Sequence, residues 1–184
     1  MAERRSAGIL PFRTAGRRPG AGDPGGGPGG RPGSGPGGDP GDAPGHGIEV
    51  LLGHMGGPFW ARRDAGAWTV VKGEYEPGET PEAAARREFT EELGLPVPAG
   101  ALLPLGETRQ SGGKTVTVWA VEGDLDPARA VFGTFTMEWP RGSGRLREFP
   151  ELDRAAWLDL AAAREKIVAA QRVFLDRLAD LRRT

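Results

Sequence analysis

The chain has no cysteine among its 184 residues, which excludes disulfides and cysteine-bound metals outright. That absence fits a reducing compartment. Neither charge is in excess: 24 Lys and Arg stand against 25 Asp and Glu, for a formal net charge of −1. Without a basic footprint, no nucleic-acid polymer is expected as a partner. No apolar run approaches the roughly 20 residues of a membrane span. Residues 1–12 carry two arginines but lack the sustained apolar region of a signal peptide. The expectation is a soluble, cytoplasmic protein with no membrane partner.

Glycine is abundant, at 31 residues, but unevenly placed. Between Ala15 and Gly47, 22 of 33 residues are Gly or Pro, with proline at every fourth position from Pro24 to Pro44. Period four is not collagen's period three. The segment has almost nothing to bury and cannot offset its ordering entropy. Its three arginines and three aspartates cancel. Residues 15–47 are therefore read as a disordered Gly/Pro-rich insertion within a single domain spanning 1–184, with recruitment of a proline-recognising partner as its alternative use. The remaining 151 residues suffice for one packed core.

Residues 6–12 and 48–52 read as short strands; if they are sheet neighbours, the insertion is an overgrown loop between them, tolerable because closure cost grows only logarithmically with length. Residues 68–71 are strand-like, and the alternating Thr and apolar residues of 115–121 form the clearest strand. Residues 130–137 and 155–158 are further strand candidates, and 139–149 reads as a loop. A strong helix is expected over 80–93, with Thr80 as N-cap, Pro81 at the first helical position and Gly94 as its stop. A last helix is expected from Asp159 to about Arg182, with an apolar stripe. Strands and helices mix without regular βαβ alternation, which predicts α+β or a sheet sandwiched by helices.

The chemistry concentrates at 73–95. Each helical residue advances about 100°. With Glu88 at zero, Glu92 lies near +40° and Glu91 near −60°, so three carboxylates share a face. Ala85, Phe89 and Leu93 form the core stripe beside them. Like charges within one turn repel, and they sit toward the helix C-terminus, where the dipole disfavours anions. A neutralising cation accounts for this, and hard carboxylate oxygens point to Mg²⁺, with Mn²⁺ as the alternative. The competing reading is a solvated acidic face in which Arg87 pairs with Glu91 four residues on.

The loop before the helix adds Gly73 and Glu79. The whole segment resembles the Nudix signature: Gly, five residues, Glu, seven residues, Arg-Glu, an apolar residue, any residue, Glu-Glu, any residue, Gly and an apolar residue. Gly73, Glu79, Arg87, Glu88, Phe89, Glu91, Glu92, Gly94 and Leu95 meet all nine constrained positions in 23 residues. The run from Trp68 to Gly73 is similar to the family's Trp-x-x-Pro-Lys-Gly, except that Val71 replaces proline. The stretch around Trp157 is similar to its last strand and helix. The resemblance implies the Nudix fold, a mixed β-sheet sandwiched between α-helices, within the α+β class.

It further implies a pyrophosphohydrolase in which metal-activated water attacks phosphorus. Glu88, Glu91 and Glu92, with the Gly73 carbonyl, are the implied metal ligands. Arg87 would orient the cluster and Glu79 support it. A general base is also needed; Glu151 is the candidate, with Glu148 and Glu138 as alternatives. For substrate, Lys72 and Arg109 are the cations chosen to meet phosphates, among Arg62, Arg63 and Lys114. Trp60 is chosen to stack a base, among Phe59, Trp119 and Trp139, although Trp119 reads more readily as core. His54 reads as a hydrogen-bonded structural histidine.

Residues 51–60 resemble a bacterial, MutT-like group acting on NTPs or dinucleotides. The expected partner is a nucleotide-like small molecule, a nucleoside di- or triphosphate derivative. Dinucleoside polyphosphates are the alternative substrates. Gln110 and Ser111 stand where some ADP-sugar and dinucleoside polyphosphate subgroups carry Pro or Tyr. A non-catalytic nucleotide sensor is the alternative from another class, but such modules usually lose box carboxylates, and here all are present.

Overall fold

The computed structural model describes residues 4–14, 47–110 and 112–183. The Gly/Pro-rich stretch read as a disordered insertion lies outside them, except for Gly47, as do Ser111 and His46. The chain order is β1 (Arg5–Thr14), β2 (Ile48–Met55), β3 (Trp68–Thr69), β4 (Val71–Glu74), α1 (Pro81–Leu93), β5 (Leu102–Arg109), β6 (Thr115–Glu122), β7 (Thr134–Glu138), β8 (Leu146–Pro150), β9 (Leu152–Asp159), α2 (Leu160–Lys166) and α3 (Arg172–Leu181). Among the described residues no helix is long and apolar enough to cross a membrane.

One mixed sheet runs β3-β2-β1-β6-β5, with β4 also paired to β1 and β9 to β2. β1 and β2 are antiparallel neighbours, with Thr14 opposite Ile48. β1 and β6 are parallel, with Ile9 opposite Trp119. Strand alternation splits the core into two layers. Ala7, Ile9, Leu51, Val71 and Val121 face Ala84, Ala85, Phe89 and Leu93 of α1. Leu10, Phe12, Val50, Leu52, Val116 and Val118 face Ala163 of α2, Phe174 and Leu178 of α3, and Ile167 between the two helices. The result is the expected helix–sheet–helix sandwich. β7 and β8 form a separate two-stranded hairpin.

α1 begins and ends as expected. Thr80 accepts a hydrogen bond from the Ala83 N–H, and Gly94 closes the helix in the left-handed region at φ 63°. The final helix is broken where continuity was expected. Ile167 leaves helical conformation to bridge Trp68, and Val168 N–H donates to the Trp68 carbonyl at 2.9 Å. The Gln171 side chain then accepts the Val70 N–H at 2.9 Å. These bonds satisfy sheet-edge groups left unpaired between β3 and β4, which the apolar stripe alone did not reveal. Residues 146–149, read as loop, belong to β8. β5 was unannounced because Pro104 and Gly106 interrupt its alternation at a bulge, where Gly106 adopts φ 76°.

Candidate active site

α1 carries its carboxylates to the end of β4, and the local geometry follows from Gly73. A Cβ at that position would lie 1.8 Å from Glu88 Oε2, so only glycine lets the carboxylate rest against the loop backbone. Arg87 then organises the loop. Its Nε and one terminal nitrogen grip both oxygens of Glu79, at 2.9 and 2.8 Å. Its other terminal nitrogen donates to Glu88 Oε1 and Glu91 Oε2, each at 2.8 Å. The terminal nitrogen that grips Glu79 also donates to the Glu74 carbonyl at 3.0 Å. This bidentate, charge-assisted geometry requires a guanidinium. The Arg87 fork, followed by the Glu76 N–H, holds the Glu79 carboxyl below the usual carboxylate range.

Glu92 behaves differently. The helical wheel places it at the border of the carboxylate face and the core stripe, and it is 8% exposed. Its Oε2 accepts the Lys72 N–H at 3.2 Å. Burial pushes its carboxyl up to about 8, against lowering by Lys72 and with further raising by Glu151 and Glu88. Burial likewise lowers Lys72, which faces Glu92, Glu88 and Glu151.

Glu151 follows β8. Its N–H donates to the Gly133 carbonyl at 2.8 Å, and the Gly133 N–H reaches the Glu92 carbonyl at 3.3 Å. These bonds bring Glu151 beside the C-terminal turn of α1. Its carboxyl is raised by burial and by Glu88 and, less strongly, Glu91. The alternatives sit elsewhere: Glu138 accepts from Gly144 N–H in the β7–β8 turn, and Glu148 is exposed opposite Thr136.

Among the described residues, no three Asp, Glu or His side chains are already gathered as a ligand set. The donor chemistry nevertheless fits a hard divalent cation. Glu88 and Glu151 both bear on the buried Glu92, and burial first, neighbouring carboxylates second, make Glu92 and Glu151 hold their protons more tightly. Glu88 has one oxygen on Arg87 and the other toward Gly73. Glu91 is the most exposed of the three helix glutamates, its side chain 57% accessible.

Lys72 also lines a cavity of about 410 Å³ on the α2–α3 side, together with Met55, Trp60, Thr69, Gln110 and Gln171. Trp60 and Lys72, both predicted from sequence, thus meet in one cavity. Arg109 does not join them; it is exposed at the end of β5, in a shallower depression with Glu107, Thr108 and Thr115. Sequence reasoning missed Gln171, whose amide bonds Thr69 and Val70. The sequence signal is its spacing, four residues after Ile167 and three before Phe174, which puts an amide on the apolar stripe of the expected last helix. Trp119 packs in the α1-side core. His54 is buried, with Nδ1 2.6 Å from Asp153 and Nε2 2.7 Å from the Arg63 carbonyl, so it ties down the loop that carries Trp60.

Residues 42–178 match the NUDIX domain family. The chain belongs to that family. Solved Nudix structures share its fold across nearly the whole chain. A Caenorhabditis elegans Ap4A hydrolase binary complex is 17% identical at a TM-score of 0.59, covering 98% of both chains. The NUDIX domain of Shewanella oneidensis NrtR complexed with ADP ribose is 13% identical at 0.56, covering 100% of this chain and 90% of that one. A MutT protein from Methanosarcina mazei is 16% identical at 0.52, covering 98% and 96%. No curated protein matches the sequence. Every constrained position of the Nudix box is filled within the matched residues.

Proposed function

We propose that this Nudix hydrolase is Mg²⁺-dependent and cleaves the diphosphate linkage of a nucleoside di- or triphosphate derivative. The observation that carries this reading is Lys72. Its backbone N–H is bonded to the buried Glu92, while its side chain lines the cavity that also holds Trp60. One residue therefore joins a carboxylate centre to a pocket with an aromatic wall, the combination a base-bearing phosphate ester requires.

Glu88, Glu91 and Glu92, with the Gly73 carbonyl, would hold Mg²⁺ or Mn²⁺, which when bound acidifies water and offsets charge on phosphate oxygens. Arg87 fixes the orientation of Glu88 and Glu91. Glu151, whose carboxyl is raised and which faces the cluster from outside the helix, takes the proton of the attacking water. Lys72 steadies the phosphate chain, and Trp60 stacks the base. Arg109 would meet only the outer end of a longer ligand.

The test is a hydrolysis panel of canonical and oxidised NTPs, ADP-ribose, NADH and dinucleoside polyphosphates with Mg²⁺, with Glu92→Gln as control. Hydrolysis of one class that disappears in the variant supports the reading. Nucleotide binding without hydrolysis of any panel member would replace it with a sensor.

A further inference from the structure

His54 is fully buried, yet each nitrogen of its ring meets an oxygen. Nδ1 lies 2.6 Å from Asp153 Oδ1, and Nε2 lies 2.7 Å from the Arg63 carbonyl. A carbonyl cannot donate, and neither can an ionised carboxylate, so the two bonds call for a proton on each ring nitrogen. The edge-on contact with Trp68, at 5.3 Å between centroids, and one hydrogen bond would suffice to settle a core histidine. Here the two oxygens come from separate segments, and each segment leads to a residue of the site.

The Arg63 carbonyl leads to Trp60. The Arg63 N–H donates to the Trp60 carbonyl at 2.8 Å, so Arg63 closes the turn that presents the indole to the cavity. Asp153 leads to Glu151. The register between β2 and β9 pairs His54 with Arg154 and then Met55 with Leu152, which leaves Asp153 as the extra residue of a bulge. A bulged residue has no place in the ladder, and a bulge re-aims the side chains beside it. Among the described residues, the Asp153 side chain is bonded to His54 and, at 3.4 Å, to Arg154. Glu151 stands two residues before it, and the Glu151 carbonyl accepts the Gly56 N–H at 2.8 Å where the Trp60 loop begins. Loop and strand are therefore fastened to each other on both sides of the buried ring.

We propose that His54 is a positioning residue that fixes the Trp60 wall and the Glu151 carboxylate relative to each other. Through Nε2 it holds the turn against which a base stacks. Through Nδ1 it holds the bulge that sets the direction of Glu151. Substrate binding and water activation then depend on different nitrogens of one ring. The inference rests on the roles given to Trp60 and Glu151 above.

Two substitutions separate the nitrogens. The amide nitrogen of His54→Asn stands where Nδ1 stood, so it keeps Asp153 and releases Arg63; that of His54→Gln stands at Nε2 and does the reverse. On the nucleotide that the wild type hydrolyses fastest, His54→Asn should raise KM about tenfold at near-constant kcat. His54→Gln should lower kcat about tenfold at near-constant KM, the scale of one hydrogen bond in each case. Amide hydrogen exchange reads the same split without substrate, with residues 57–64 loosened in the first variant and 150–154 in the second. Asp153→Ala, at a partly exposed carboxylate, cuts the strand-side bond without altering the buried ring and should follow His54→Gln. Kinetics unchanged or shifted alike in both ring variants, exchange that rises uniformly, or an Asp153→Ala protein with wild-type kcat would overturn the proposal. If the exchange split appears while the wild type hydrolyses no nucleotide, the positioning role stands and the hydrolase reading fails.

Discussion

On one flank of α1, Arg87 holds Glu79, Glu88 and Glu91 at 2.8–2.9 Å with a single guanidinium. On the other, Glu92 is buried beside Lys72 and near Glu151, and among the described residues no arginine is bonded to it. On the first flank every carboxylate is paired and the Glu79 carboxyl is held below its usual range; the second keeps a carboxyl whose ionised form is disfavoured. Two glutamates four residues apart on one helix thus differ because of what packs over them. In the function proposed above, the Arg87 side would supply rigidity and the Glu92 side chemistry.

Glu92→Gln tests the contrast most severely. Turnover should fall on the order of 10³-fold with circular dichroism unchanged. In metal-free protein the same variant should melt no lower than wild type above pH 8. The sign follows from the raised folded value: stability linked to Glu92 is fully present below the ordinary 4.5 and is lost as pH rises through about 8. Thermal melts in chelator at pH 5 and pH 9 measure it, and a Glu92→Gln protein that loses more stability at pH 9 than at pH 5, relative to wild type, would reverse the assignment.

Gly73→Ala should come next. The added methyl meets the Glu88 carboxylate at 1.8 Å, so either the loop or Glu88 must move. Turnover should drop about 100-fold, since a displacement of about 1 Å has that scale of effect. Retention of wild-type kinetics would show that the Gly73–Glu88 contact is dispensable.

Arg87→Lys should cost roughly 1–3 kcal/mol in urea unfolding, because an ammonium cannot reproduce the fork to Glu79 while reaching Glu88 and Glu91. Turnover should fall less than for Gly73→Ala, since the scaffold rather than the reacting groups is loosened. An unaltered urea midpoint would mean that the four bonds to carboxylates add nothing over solvation.

The smallest effect concerns acid. The Glu79 value is depressed, so its contribution is present above the ordinary 4.5 and is lost as pH falls through the folded one. Glu79→Gln should therefore flatten the fall in urea midpoint between pH 6 and pH 3. A variant with the wild-type acid slope would place the linkage elsewhere, for instance at Glu74, which is lowered by Arg4 and Lys114.

The sequence by itself determined α1 and its chemistry, because caps, helical period and the spacing of Gly73, Glu79, Arg87, Glu88 and Glu92 are local properties of the chain. It also supplied the strands whose alternation is regular, such as β6. Tertiary structure decided what no local pattern encodes. It buried Glu92 while leaving Glu91 in solvent, brought Glu151 in through the Gly133 backbone, and joined Lys72 to Trp60 in one cavity while leaving Arg109 outside. It also broke the last helix so that Ile167 and Gln171 could satisfy the edge between β3 and β4. Each of these depends on groups tens of residues apart competing for the same backbone partners and the same limited exposure to water, and that competition is resolved only when the sheet assembles.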